Sequence, residues 1–270
     1  NDPVSALKLV FSQINKHVAC SKAAEKGHLQ CLEYAFTRVW GWNNEGTCTA
    51  AAGNGHLDCL KYAHIHGCPL RKWTCQVAAE NGHLDCLKYA YENGCPWNSL
   101  TCPGAAGGGH LDCLKYAREN GCPWDWKTCW DAALNGHLDC LKYAYENGCS
   151  WNEKTCSYAA VGGHLDCLKY ARENNCPWNY DTCSNAAYGG HLDCLKYARE
   201  NGCPWDWETC CYAASNGHLD CLQYAYENGC PIPKHWDFVD PSCLEYVEFI
   251  GKRKKIIKKA MRPLRRLSKR

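Results

Sequence analysis

Eight times along this chain the histidine of a Gly-His-Leu is followed three residues later by a cysteine, as at His137 and Cys140. Two further cysteines recur in nearly every copy, as at Cys129 and Cys149. Imidazole and thiol at fixed spacing are the raw materials of metal binding, nucleophilic catalysis and disulfide bonding. Structural zinc sites bring thiolates in Cys-x-x-Cys pairs, and the His137–Cys140 spacing repeats without them. A catalytic centre is one place, whereas the histidine column His28 to His218 comes in eight equivalent copies. Gly-rich phosphate loops, Gly-x-Ser-x-Gly elbows and paired catalytic carboxylates are not found either. The residues therefore point away from an enzyme, a cofactor, a metal ion or a small-molecule substrate. Of the 25 cysteines, 23 fall in three columns. They read first as small buried apolar side chains where one copy packs on the next. Disulfides and metal ligation are the competing readings. The odd total leaves at least one thiol over, and no secretory leader is visible. The reading is of a reducing, intracellular compartment, cytoplasmic or nuclear.

The repeat that carries these side chains decides the fold class. Gly-His-Leu recurs with spacings of 28 once and 27 six times, and eight units cover residues 19–230. A representative unit reads DWKTCWDAALNGHLDCLKYAYENGCSW from Asp125. Its second half, His137 to Asn147, has apolar residues at Leu138, Cys140, Leu141, Tyr143 and Ala144, a stripe at helical spacing. Asp139 sits in the first turn, where the helix dipole favours an anion, and Asn147-Gly148 supplies the stop. The first half predicts a second short helix, begun by Thr128 as N-cap and running through Ala132-Ala133 to Asn135-Gly136. A six-residue connector, Cys149 to Lys154, leads to the next unit. Ordering 27 residues costs roughly 40 kcal/mol, which needs about 1,600 Å² of buried apolar surface to offset. A lone pair of short helices cannot hide so much, so the units must stack on their neighbours. The expectation is an all-α, helix-turn-helix repeat solenoid.

The motif AAxNGHLDCLKYAxENGC resembles the core of the ankyrin-repeat family, in which a Thr-led helix ends in Ala-Ala and Gly-His-Leu opens the second helix. The resemblance covers residues 19–230, and short, Cys-rich arrays of this kind resemble those of amoebae, oomycetes and giant DNA viruses. The family's usual period is 33 against 27 here. The Thr-Pro-Leu-His opening is reduced to Thr-Cys, and tight loops are expected in place of a projecting hairpin. The ends are atypical, as capping units should be. Residues 1–18 predict an N-terminal capping helix ahead of the 19–230 array. Residues 231–251, in which SCLEYV echoes DCLKYA, predict a closing half-repeat, and residues 252–270 are a basic tail. A chain that starts at Asn1 reads as a fragment, a processed product or an incompletely known sequence.

The eight copies also compare the chain with itself. HLDCLKYA occurs in six of the eight second helices, while the first helices and connectors vary freely. Side chains released from stacking are free to match a partner that does not repeat. Counting from the column cysteine, the second and fifth positions after it point away from the packed side, and the variable residues there and in the connectors turn aromatic after Trp126. The candidate partner-binding residues are Trp126, Asp131, Leu134, Tyr158, Tyr180, Tyr188, Trp207 and Tyr212. Tyr and Trp are the side chains that most often carry binding energy at interfaces, and drift on an unused surface is the competing reading. The ankyrin resemblance implies a protein partner on a concave face built from first helices and loop tips. Five tryptophans after Pro or Ser, such as Trp97 and Trp151, read instead as covers for loop edges between units.

Charge divides the 270 residues unevenly. The net formal charge is +2, yet residues 252–270 hold 11 Lys or Arg and no acid. Candidate contacts for a polyanion are Lys252, Arg253, Lys254, Lys255, Lys258, Lys259, Arg262, Arg265 and Arg266. Nuclear import, nucleic-acid phosphates, an anionic membrane surface and a partner groove all suit such a tail, as does simple solubilisation. No apolar run approaches the ~20 residues of a spanning helix, so the chain is not expected to be transmembrane. The expected function is a non-enzymatic protein-interaction scaffold with the tail as a second, electrostatic contact. The alternative is a nucleic-acid- or ribonucleoprotein-associated component anchored by that tail.

Overall fold

The computed structural model describes residues 16–38 and 46–253, and the chain divides into two compact bodies, residues 1–151 and 152–270. Among the described residues all regular structure is helical, as the 3.6-residue periodicity requires. The N-terminal body holds five helix pairs, for example Lys72–Glu80 with Leu84–Glu92 and Trp126–Leu134 with Leu138–Glu146. The C-terminal body holds three: Glu153–Val161 with Leu165–Glu173, Tyr180–Gly189 with Leu192–Glu200, and Trp207–Ser215 with Leu219–Glu227. A 3-10 turn at Pro241–Cys243 and helical residues 244–253 follow. Residues 1–15 of the expected N-terminal cap, and the tail from residue 254 on, lie outside the described residues.

The second helices begin and end within a residue of the sequence expectation, with His137 at the N-cap and Asn147 at the C-cap of Leu138–Glu146. The first helices do not begin where expected. Thr128 is not the N-cap; the helix starts at Trp126, and Asp125 caps it by accepting the backbone N–H of Lys127 at 2.9 Å. Asn152, Asn179 and Asp206 cap the next three first helices in the same way. A short carboxylate or amide three residues before the threonine outcompetes it as a cap, because the threonine is drawn into the core. Thr128, Thr155, Thr182 and Thr209 are fully buried, with hydroxyls that make no hydrogen bond. The connector residues Trp126, Tyr180 and Trp207 are thereby the first residues of helices.

Within each body neighbouring repeats meet chiefly through their first helices, and the second helices touch far less. Small side chains permit the approach. Cys129, Ala132 and Ala133 are fully buried in the N-terminal body, and Cys183, Ala186 and Ala187 in the C-terminal body. A second seam runs through the glycine of Gly-His-Leu. Gly109 holds φ +76°, and the His137 imidazole of the next repeat lies where a Cβ would stand. In the C-terminal body His191 covers Gly163 and His218 covers Gly190, while His218 Nε2 lies 3.1 Å from the Tyr188 carbonyl oxygen. The histidine column is thus a stacking device, turned toward the preceding repeat. At the end of the array Asp240 and Ser242 stand against Gly217, where an imidazole would otherwise sit. The Asp240 N–H donates to the Ala214 carbonyl at 2.9 Å, and the Ser242 hydroxyl donates to the Gly217 carbonyl at 3.2 Å.

In six repeats the third cysteine clasps its repeat shut. Cys149 Sγ donates to the Asp125 carbonyl at 3.1 Å, and Cys203 Sγ to the Asn179 carbonyl at 3.2 Å. All 25 cysteines are free thiols, and all but Cys211 are buried. The tryptophan column covers loop edges. Trp97 stacks on Tyr91 at 4.2 Å and donates Nε1–H to the Asn120 carbonyl, whereas Arg172 and Arg199 lie 4.4 Å from the ring centres of Trp178 and Trp205.

Candidate protein-docking face

A helix that starts three residues before the column cysteine has a wide outward side. In Trp207–Ser215 the packed side holds Thr209, Cys210, Ala213 and Ala214. At 100° per residue that leaves Trp207, Glu208, Cys211, Tyr212 and Ser215 outward. In Tyr180–Gly189 the outward set is Tyr180, Asp181, Asn185 and Tyr188, none of them fully buried. The apolar members stay in water: Tyr188 is 51% exposed, Trp207 47%, Tyr180 45% and Tyr212 36%. Tyr188 and Tyr212, on neighbouring helices, meet edge to face at 5.8 Å.

Electrostatics on this stretch are one-sided. Burial pushes the Tyr212 phenol upward, and the carboxylates of Glu208, Asp181 and Asp206 push it further. Glu208 is itself raised above the ordinary carboxylate range, by partial burial and then by Asp206 and Asp181. Cys211 is pushed up to about 11 by burial and by Asp237, Glu208 and Asp206. Among the described residues none of these carboxylates forms an ion pair. Tyr158, on the helix before, is half-buried.

The remaining candidates lie in the N-terminal body. Trp126 stacks on Trp130 one turn along, with ring centres 5.2 Å apart and planes 6° from parallel. Asp131 is half-buried with its Cβ against Gly107 of the preceding repeat, and its carboxyl is pushed up to about 6 by burial and then by Asp125. Leu134 is half-buried beside it in sequence. Reading outward positions from the cysteine onward missed Trp130, Asp181 and Glu208. They occupy the position just after the cysteine and the one two before it. Asp125, Asn152, Asn179 and Asp206, three residues ahead of each threonine, were the signal that the helix starts early enough to include Asp181 and Glu208.

Of the polyanion candidates, Lys252 and Arg253 are described and exposed. Lys252 pairs with Glu248 at 3.7 Å, and Arg253 lies 5.6 Å from the Phe249 ring centre. Lys254, Lys255, Lys258, Lys259, Arg262, Arg265 and Arg266 lie outside the described residues. Among the described residues no three His, Cys, Asp or Glu side chains are grouped to hold a metal ion, and no helix is long and apolar enough to cross a membrane.

Comparison with known proteins agrees with the helix pairs. A family model of ankyrin repeats in many copies matches residues 183–225. The crystal structure of the human ASB11 ankyrin repeat domain is similar with a TM-score of 0.51 and 17% sequence identity, over 58% of this chain and 84% of that one. No curated protein matches the chain. Ankyrin repeats are in general protein–protein interaction modules, and their fold is typically a non-enzymatic scaffold. With paired helices and Gly-His-Leu seams, the 27-residue units have the ankyrin-repeat fold, and residues 183–225 carry the pattern of the ankyrin-repeat family.

Proposed function

We propose that the chain is a protein-interaction scaffold that docks partners on the outward sides of its first helices, through Trp126, Asp131 and Leu134 in the N-terminal body and, separately, Tyr158, Tyr180, Tyr188, Trp207 and Tyr212 in the C-terminal body. One observation carries this reading. Among the described residues ten large apolar side chains are exposed, and four of them, Tyr180, Tyr188, Trp207 and Tyr212, fall on two neighbouring first helices. The opposite sides of those helices are sealed by Cys and Ala, so the aromatic rings serve no core. Large aromatics gathered in water favour an interface over an unused surface. A photo-crosslinking residue at position 188 should capture a partner, and the same residue at exposed position 166 on a second helix should not. Tyr188→Ala and Tyr212→Ala should each weaken capture by about tenfold or more without lowering the melting temperature. Capture that is equal at both positions ends the proposal.

The tail is a second, electrostatic contact, supported by its 11 basic residues without an acid. If it lies along nucleic-acid phosphates, six to eight contacts give a log–log salt slope of roughly −5 to −7, and deletion of residues 254–270 abolishes it.

A further inference from the structure

We infer that the outward side of helices Tyr180–Gly189 and Trp207–Ser215 receives a lysine- and arginine-rich peptide segment of a partner protein. This deepens the docking reading above and rests on it. Charge selects the partner. Residues 179–189 and 206–215 hold Asp181, Asp206 and Glu208 and no Lys or Arg. The first helices just before them each carry a cation among their acids, Lys127 with Asp125 and Asp131, and Lys154 with Glu153. Acidic side chains with no Lys or Arg among them therefore lie on the two neighbouring helices that expose Tyr180, Tyr188, Trp207 and Tyr212.

These carboxylates are also under-used. Asp206 caps its helix by accepting the Glu208 N–H at 2.9 Å, and Asp181 accepts from Asn179 Nδ2 at 3.0 Å. Glu208 makes no side-chain hydrogen bond among the described residues, and none of the three has a cationic partner. Partial burial and then the charges of Asp206 and Asp181 raise the affinity of Glu208 for a proton, as like charges gathered without compensation do. Cationic side chains entering there relieve that repulsion. A guanidinium or ammonium group is also attracted to the faces of Tyr and Trp, while its methylene stem lies along the rings. An acidic or phosphate-bearing partner meets the same carboxylates as repulsion, which separates this face from the basic tail.

Fluorescence anisotropy with the full 270-residue chain tests the assignment. The probe is a short labelled peptide of Lys, Arg, Gly and Ser, and its control has Glu in place of each basic residue. The basic peptide should bind, weaken at about 0.5 M salt, and bind about tenfold less well to the D181N/E208Q double variant. Tyr188→Ala should weaken it comparably, whereas Glu173→Gln, on a second helix, should not. Melting curves of the variants should overlay the parent. Equal binding of the acidic peptide, or indifference to D181N/E208Q, overturns the basic-peptide assignment. Crosslinking at position 188 would still report a docking face in that event, so the two failures are distinguishable. If the peptide binds only once residues 254–270 are removed, the chain's own tail holds the face and the outside partner is refuted.

Discussion

Glycines at the two ends of a second helix answer to different demands. Gly148 holds φ +84° with nothing near its would-be Cβ, and in the following repeat Asn175 takes that role at φ +62°. Gly109 also has positive φ, but there the His137 ring occupies the Cβ position. Gly148→Asn should therefore cost less than about 1 kcal/mol. Gly109→Asn should cost several times more, because it pries two repeats apart; paired thermal melts read the difference. Asp131 supplies a pH signal. Its folded pKa of about 6 stands above the ordinary value, so the folded chain gains from this group below about pH 4 and loses that gain as pH rises through 6. Asp131→Asn should raise the melting temperature at pH 7.5 and leave it nearly unchanged at pH 4. Discounted for half exposure, the gain is about 1 kcal/mol. The Gly109 effect arises from a neighbour one repeat away, and the repeat period alone does not say which side chain lies over which.

The first helix is where sequence reasoning and structure part. The second helix announced both its ends, because His137 and Asn147-Gly148 are signals that nothing contradicts. At the first helix Thr128 and Asp125 both offer an N-cap, and choosing between them requires knowing that the threonine packs inward. The error moved the helix start by three residues and hid Asp181 and Glu208 from the candidate face. It also yields a contrast between the two oxygens. Asp206→Ala removes a working cap and should cost about 1 kcal/mol. Thr209→Val deletes a buried hydroxyl without a hydrogen bond, and should be neutral or stabilising. Thr74→Val should be costly, since that hydroxyl accepts the Arg71 N–H at 3.3 Å. Denaturant midpoints of the three variants rank these expectations.

Across the whole molecule the buried thiols set a limit on alkalinity. Burial, with the preceding aspartate, pushes Cys59, Cys86, Cys140 and Cys194 up to about 11 and Cys113 and Cys221 up to about 12. An acid whose folded pKa is raised stabilises the fold below its unfolded value and ceases to as pH climbs through the folded one. Each such thiol costs up to about 1.4 kcal/mol per pH unit above ~8.5, where the unfolded chain ionises first. Melts in reductant should fall steeply between about pH 9 and 11. Thiol reagents at pH 7 should find Cys211 first and the remaining cysteines only on unfolding. The period foretold stacked repeats and buried thiols, because identical copies can only pack through what they share.

The imidazole-on-glycine seam has an evolutionary corollary. Because His191 meets Gly163 and His218 meets Gly190 in the same manner, cutting out residues 179–205 brings His218 to Gly163 with no new surface to invent. Such a spliced chain should refold with the same helicity per residue by circular dichroism and a lower melting point. Copy number can then drift by whole units in a lineage while every surviving joint keeps its fit.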